Sequence, residues 1–315
     1  MHVILGASGQ IGSELAQVLH TDYTTDIRVV SRNPIKINDT DTLYSADLMD
    51  PRQTLEATKG ADTVWFTAGL PMDTSRWEKQ WPVMMENVIN ACATNNARLV
   101  YFDNTYMYPQ TSEPMDETTR FDPVGRKGRV RALITNMLLE AMQNGRVNAM
   151  ICRAPEFYGP GKTQSITNTI VLDKLRNKQT ANVFLSATTV RSLIYTPDAS
   201  RAMALLGHTE DAYGQTWHLP CDDERLSYTQ MIKIAGEILN TPCDFKVLKK
   251  WQLTLAGLVS KSVRETWELL PRYEVDNIFV SNKFKQRFPA FTVTPYKEGL
   301  SATLKQPTDN NGLNR

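Results

Sequence analysis

The segment Gly6-Ala-Ser-Gly9-Gln-Ile-Gly12 constrains this 315-residue chain more than any other. It follows a short apolar run at residues 3–5 and leads into SELAQVLH, where Ile11, Leu15 and Leu19 recur at helical spacing. The pattern reads as strand, glycine turn and amphipathic helix. Gly6 lets the chain turn tightly, Gly9 leaves room for a pyrophosphate, and Gly12 lets the helix approach the strand. The helix N-terminus adds free N–H groups and a dipole that favours phosphate oxygens. Gly6, Ser8, Gly9, Gln10, Ile11 and Gly12 are therefore candidate dinucleotide-binding residues, with an unoccupied structural turn as the alternative.

A second strand at residues 27–30 ends in Ser31-Arg32. A site that prefers NAD usually carries a carboxylate here for the adenosine ribose. A hydroxyl and a guanidinium stand in its place, and a planar donor fork suits a 2′-phosphate. The expectation is NADP(H) ahead of NAD(H), against the alternative of a solvated surface arginine. A short strand ending in Ala46-Asp47-Leu48 offers Asp47 to the adenine amino group, with Leu48 beside it. Residues 62–69 read as a central strand, and its small end, Thr67, Ala68 and Gly69, leaves space for the second half of the cofactor.

Composition excludes several classes. Basic and acidic residues number 35 and 34, so the net charge of +1 gives no global field for nucleic acid or an anionic bilayer, and neither is expected as a partner. The four cysteines form no CxxC pair, and Cys92 and Cys152 sit in apolar surroundings as core residues. The four histidines are scattered, so no metal site is expected. The opening MHVILGASG lacks the basic start and apolar stretch of a secretion signal, and no apolar run reaches the roughly 18 residues of a membrane span. A cytoplasmic location is the corresponding expectation.

With GASGQIG, Asp47-Leu48 and the strand end at Thr67-Ala68-Gly69, the chain resembles the extended short-chain dehydrogenase/reductase family, which includes nucleotide-sugar epimerases, dehydratases and related reductases. The likeness runs to about Leu304. It takes in a fifth strand at residues 99–102, Tyr108 in a position like that of the family's VYG tyrosine, RAPEFYGPG from Arg153 to Gly161, and RSLIYTPD from Arg191 to Asp198. The resemblance implies an α/β fold: a Rossmann-like doubly wound parallel sheet with a smaller mixed C-terminal substrate lobe. Residues 1–161 would form the cofactor domain, with 190–220 returning to it. Residues 162–189 and 221–305 would form the substrate lobe, and 306–315 a flexible tail. It further implies backbone near Pro155 at the nicotinamide, a small carbonyl or sugar-nucleotide substrate, and a homodimer through the sheet-flanking helices.

The resemblance breaks at the catalytic set. The family's Ser or Thr position is Asn104, with Thr105 adjacent. Its Tyr-x-x-x-Lys is absent: the simplest match puts Val124 at the tyrosine and Gly128 at the lysine, and no tyrosine lies between Tyr108 and Tyr158. Hydride transfer to a carbonyl needs a proton donor at the developing alkoxide, and valine has none. Asn104, Thr105, Tyr108 and Tyr158 are the substitute candidates, with Tyr106 as a further phenol and Lys127 or Arg129 as positive charge. Arg126, Lys127, Arg129 and Arg131 crowd a helix start, the unfavourable end for cations. They read equally as a solvated face or as an anion contact. The leading function is an NAD(P)-dependent oxidoreductase or epimerase/dehydratase-like enzyme. The alternative is a non-catalytic NADP(H)-binding sensor or regulator.

Three further expectations concern the second half and its approach. Residues 132–144 read as a helix with Leu133, Met137, Leu138 and Met142 as its apolar stripe. Ser227 should cap the helix that follows it. Residues 247–270 read as helical, with Trp251, Leu255, Leu258 and Val259 packed in the core or lining the substrate lobe.

Overall fold

Strands β1 (His2–Leu5), β2 (Ile27–Ser31), β3 (Thr42–Ser45), β4 (Thr63–Phe66), β5 (Arg98–Asp103) and β6 (Ala149–Arg153), together with Thr216–His218, form one seven-stranded sheet in the computed structural model. The structure describes residues 1–161 and 164–306. Every pairing in this sheet is parallel. From the Thr216–His218 edge the order is β6, β5, β4, β1, β2, β3. The chain works outward from β1 to β3, then restarts on the other side at β4. The turns after β1 and β4 therefore flank the point where strand order reverses, the place where such sheets bind ligands.

Burial on both faces explains the sequence of the strands. All of β4 (TVWF) and β6 (AMICR) is buried, as parallel strands covered on both sides require. Alternate residues face opposite layers. Val3 and Leu5 join Met85 and Val88 of helix α3 (Thr74–Asn95), counting after α1 (Gln10–Asp22) and α2 (Pro51–Ala57), and Ile134 and Leu138 of α4 (Arg126–Gln143). Ile4 instead meets Leu15 and Leu19 of α1, with Met203 and Leu206 of the helix Thr196–Gly207. The doubly wound sheet is as the sequence implied.

Three small two-stranded sheets build the remainder. Glu156–Tyr158 pairs with Leu193–Tyr195, Val190–Arg191 with Leu226–Ser227, and Ala181–Phe184 with Phe245–Leu248. Ser227 caps Tyr228–Leu239 through a capping box with Gln230, as expected. Cys92 and Cys152 are buried, free thiols. The expected tail lies outside the described residues except for Gln306, whose Oε1 accepts from Gly161 N–H at 2.6 Å.

Two expectations need correction. The expected stripe of α4 holds at Leu138, which is buried, and at Met137 and Met142, which pack against the core, but fails at Leu133. Leu133 is 49% exposed, and the buried positions are Lys127, Val130, Arg131, Ile134, Leu138 and Ala141, among others. Lys127 and Arg131 take inward positions because ion pairs and aromatic rings await them, which hydropathy cannot register. Residues 247–270 are not one helix. Phe245–Leu248 is a strand, Lys250–Val259 a helix, and Ser260 breaks the run and caps Lys261–Thr266. A 3-10 turn, Trp267–Tyr273, follows. Trp251, Leu255, Leu258 and Val259 are exposed rather than core.

Candidate active site

The glycine turn has the geometry that a pyrophosphate cradle needs. Gly6 adopts φ +95°, and a Cβ there would lie 2.4 Å from the Ala68 backbone. A Cβ on Gly12 would lie 2.7 Å from both Gly6 O and Thr67 Oγ1, so only glycine seats α1 against the sheet. Gly9 differs: its outer side is open, the nearest atom being Gly6 O at 3.4 Å. Gly9 caps α1 without any side-chain hydrogen bond, which leaves the first-turn N–H groups of the helix facing that space. These features fit a dinucleotide phosphate.

The other cofactor candidates lie around this turn. Ser8 Oγ donates to Ser31 Oγ at 2.8 Å, tying the glycine turn to the end of β2, beyond which Arg32 is exposed. Asp47 Oδ1 accepts from Met49 N–H (3.0 Å), and Leu48 O accepts from Asn87 Nδ2 (2.9 Å). Thr67 Oγ1 donates to Leu5 O, and Gly69 comes close to Gln164 of the neighbouring cavity.

Glu14, one turn into α1, was not anticipated. Its Oε1 accepts from Thr196 Oγ1 (2.8 Å) and Gln10 Nε2 (3.3 Å), and its Oε2 from Ser200 Oγ (3.4 Å). Burial pushes this carboxyl up from 4.5 to about 7, against the lowering effect of those bonds. Gln10 Nε2 also reaches Pro160 O at 2.5 Å, so this cluster ties α1 to the loop leaving Glu156–Tyr158.

Beyond the C-terminal ends of β5 and β6 lies a cavity of about 100 Å³. Asn104, Thr105, Tyr106 and Pro155 line one side, and Leu269, Arg272 and Tyr273 the other. Two buried guanidinium groups border it. Arg191 Nη2 pairs with Glu156 Oε2 at 2.9 Å, and its guanidinium lies 4.0 Å from the centroid of the Tyr273 ring. Arg272 donates to Thr105 Oγ1 (3.3 Å), Thr105 O (2.7 Å) and Tyr108 O (3.1 Å). Its Nε has no partner, and no carboxylate lies within ion-pair distance among the described residues. Burial pulls this guanidinium down to about 10.

The four catalytic candidates divide evenly. Asn104 and Thr105 line the cavity, with Asn104 Oδ1 accepting from Tyr106 N–H at 3.0 Å. Tyr108 and Tyr158 are not among the cavity residues. Tyr108 is fully buried, and its oxygen lies 2.6 Å from Arg153 Nη1 and 2.8 Å from His218 Nε2. His218 Nδ1 lies 2.8 Å from Val280 O, where only the protonated nitrogen can donate. Its Nε2 therefore accepts from the Tyr108 hydroxyl, which also lies 3.1 Å from Asp116 O, while Arg153 donates to the phenol. Tyr158 stacks on Tyr296 at 5.7 Å and faces Gly299, where a Cβ would lie 2.4 Å from its oxygen. Sequence reasoning named Tyr106 and the stretch that opens at Arg191 but missed Arg272 and Tyr273. Their only signal is an arginine-tyrosine pair closing an apolar run.

The basic run resolves into a clamp. Lys127 is 1% exposed, and its Nζ reaches Glu265 Oε2 at 2.6 Å, Thr74 Oγ1 at 2.8 Å and Glu265 O at 2.9 Å, with Glu268 Oε1 at 3.4 Å. Both Glu268 carboxylate oxygens accept from Lys127 N–H (3.1 and 3.2 Å), and Glu265 Oε2 accepts from Thr74 N–H (2.9 Å). The segment Lys261 to Tyr273 thus supplies the carboxylates that the first turns of α3 and α4 lack. Arg131 lies over the Trp77 and Trp81 rings, and Arg126 pairs with Glu78. At the positions matched to the family's tyrosine and lysine, Val124 is 60% exposed, and a Cβ on Gly128 would lie 2.7 Å from Tyr106 O. Among the described residues no cluster of His, Cys, Asp and Glu could hold a metal.

Comparison with known proteins agrees with this architecture. A model of the NAD dependent epimerase/dehydratase family matches residues 2–218. The UDP-glucuronic acid 4-epimerase of Bacillus cereus, solved with UDP-glucuronic acid and NAD, superposes with a TM-score of 0.79 at 16% identity, over 96% of this chain and 98% of that one. The UDP-glucose 4-epimerase of Thermus thermophilus, solved with NAD, gives 0.77 at 14% identity over 96% and 98%. A putative epimerase from Burkholderia cenocepacia gives 0.77 at 17% identity over 96% of each chain. At such identities these likenesses show the fold. No curated protein matches the chain.

Two outcomes follow. Valine at Gly9 fills the open side of the turn and meets backbone only at ordinary contact distance, Gly6 O at 3.4 Å, so Gly9→Val is expected to abolish NAD(P) binding in calorimetry while leaving the melting temperature unchanged. Intact affinity in the folded variant would remove the cradle. Glu14 has a folded-state pKa above its unfolded value, so the folded state holds the extra proton. Its contribution to stability is complete below about pH 4.5 and is lost as pH rises through about 7. Glu14→Gln should flatten the fall in denaturation midpoint across that window; an unchanged slope would contradict the assignment.

Proposed function

The chain belongs to the NAD dependent epimerase/dehydratase family, and from that premise we propose that it is an NAD(P)-dependent oxidoreductase or nucleotide-sugar epimerase/dehydratase-like enzyme acting at a carbonyl or hydroxyl carbon. Arg272 carries the reading. A buried charge is costly until it is paired, and this guanidinium borders the cavity with no carboxylate within ion-pair distance among the described residues, the cavity's own Glu156 being paired with Arg191. A substrate bearing an anionic group supplies the counter-charge. Sugar nucleotides are such a class, and the Bacillus cereus epimerase was solved with UDP-glucuronic acid. The cavity admits one group of such a molecule, with the remainder lying across its mouth.

A bound nicotinamide would supply the hydride chemistry. Gly6, Ser8, Gly9, Gln10, Ile11 and Gly12 would hold its pyrophosphate, Asp47 and Leu48 the adenine, and Thr67, Ala68, Gly69 and Pro155 the path to the cavity. Arg32, with no acid at the end of β2, would favour NADP(H), while NAD(H) remains usable. Thr105 Oγ1 already accepts from Arg272, so its own proton is free for a substrate oxygen, beside Asn104. Tyr106 lines the same cavity, and burial pushes its phenol up to about 12, so it carries a proton to give at neutral pH. The domain division and a homodimer through the sheet-flanking helices belong to the same reading. A second reading, a non-catalytic NADP(H) sensor, is favoured by one observation: the ends of Glu265 and Glu268 occupy the start of α4, where the family keeps its tyrosine and lysine.

Arg272→Leu should weaken binding of UDP-glucuronic acid by about tenfold or more, while NAD(P) affinity stays the same. Equal binding by variant and parent would sink the anion role, and no binding of any UDP-sugar by the parent would sink the sugar-nucleotide reading. Arg32→Ala should weaken NADP(H) more than NAD(H), by about tenfold. A parallel loss for both would remove the 2′-phosphate contact.

A further inference from the structure

The helix Lys250–Val259 is finished on one side and bare on the other. Its inner face is seated tightly: Leu253 is buried, and a Cβ on Gly257 would lie 2.3 Å from the Trp267 ring. Trp267 Nε1 donates to Leu253 O at 3.1 Å, and Arg264 Nη1 to Gly257 O at 2.9 Å. The outer face carries Trp251, Leu255, Leu258 and Val259, which are 63%, 56%, 68% and 91% exposed. The spacing i, i+4, i+7, i+8 places them in one stripe. Single exposed apolar residues are ordinary, but four contiguous on one helix face mark a contact surface.

Charge identifies the occupant. Residues 245–264 include Lys246, Lys249, Lys250, Lys261 and Arg264, and no aspartate or glutamate. The lysines flank both ends of the stripe. Lys261 pairs with Asp73, and Lys250 lies 4.0 Å from Glu274. Lys246 and Lys249 are exposed and have no ion-pair partner among the described residues. A second copy fits poorly, because it sets lysine flanks against lysine flanks. A standard interface also needs roughly 800 Å² and 20–30 residues on each side, more than the single helix of 10 residues provides. An anionic bilayer meets both demands: a Trp and Leu face enters the headgroup–acyl boundary while flanking lysines meet lipid phosphates. A net charge near zero removes long-range attraction but not this local pattern.

We propose that Lys250–Val259 is an interfacial anchor that lays its Trp251, Leu255, Leu258 and Val259 stripe into an anionic membrane surface, with Lys246, Lys249 and Lys250 on the headgroups. Among the described residues no helix is long and apolar enough to cross a membrane, so the contact is peripheral.

The test is flotation of the full chain with vesicles of phosphatidylcholine alone and of phosphatidylcholine mixed with phosphatidylglycerol, beside sedimentation velocity without lipid. The chain should float with the phosphatidylglycerol vesicles at low salt and be released at high salt. Leu255→Glu/Leu258→Glu and, separately, Lys249→Glu/Lys250→Glu should each lower the bound fraction by about tenfold or more, with unchanged melting temperatures. These side chains are exposed, so both variants should fold. A chain that stays in solution with either vesicle overturns the proposal. So does equal flotation with both lipids, or flotation that survives both variants. Dimerisation abolished by Leu255→Glu/Leu258→Glu, without any lipid binding, would assign the face to a second copy instead.

Discussion

The placement of the cavity depends on two carboxylates that arrive from far along the chain. Glu265 and Glu268 seat themselves on the N-termini of α3 and α4 and enclose the Lys127 ammonium between them. Taking such charges out of water costs several kcal/mol per ion, and only close geometry with further hydrogen bonds offsets it. Here Lys127 Nζ has three hydrogen-bond contacts, and each carboxylate also accepts a backbone N–H that the helix cannot satisfy itself. One turn beyond, the same segment delivers Leu269, Arg272 and Tyr273 to the cavity. Gly125 belongs to the arrangement, since a Cβ there would run into Glu268.

The packing around this docking accounts for the glycine matched to the family's lysine, though not for Val124 at the tyrosine. Room for Glu268 and for close approach to Tyr106 O requires glycine at 125 and 128, and a glycine at 128 cannot carry an ammonium. The lysine one position earlier points to the clamp instead. Positive charge returns to the cavity from the opposite wall as Arg272, which rests on Thr105 and on the carbonyl of Tyr108. Beneath lies a second buried network, in which Asp103 accepts from Arg153 and Thr135, and Arg153 donates to Tyr108. It holds the β5 and β6 ends that present Asn104, Thr105 and Pro155.

What could be read in the sequence was what local physics decides. Gly6 and Gly12 are legible because strand, turn and helix lie within a dozen residues, and Ser227 because a cap and its Gln230 partner are three residues apart. The α4 stripe was legible at Leu138 but incomplete, because Lys127 and Arg131 are buried by partners that sequence does not show, among them Glu265, Trp77 and Trp81. The exposed face of Lys250–Val259 defeats hydropathy in the opposite way, since apolar residues at helical spacing read as core. Tyr108 and Tyr158 looked like spare phenols because nothing local reveals His218, Arg153 or Tyr296 beside them. Arg272 could not be singled out because its lack of an ion-paired carboxylate among the described residues exists only in three dimensions.

The function of the nucleotide cradle, with the start of α4 given over to the clamp, stands or falls on cofactor binding. Calorimetric titration of the unmodified, nucleotide-free chain with NADP(H) and with NAD(H) tests it most directly. Saturable binding of both is expected at one site per chain, with NADP(H) the tighter. A folded chain that binds neither would contradict it, and the glycine turn would then be a structural remnant.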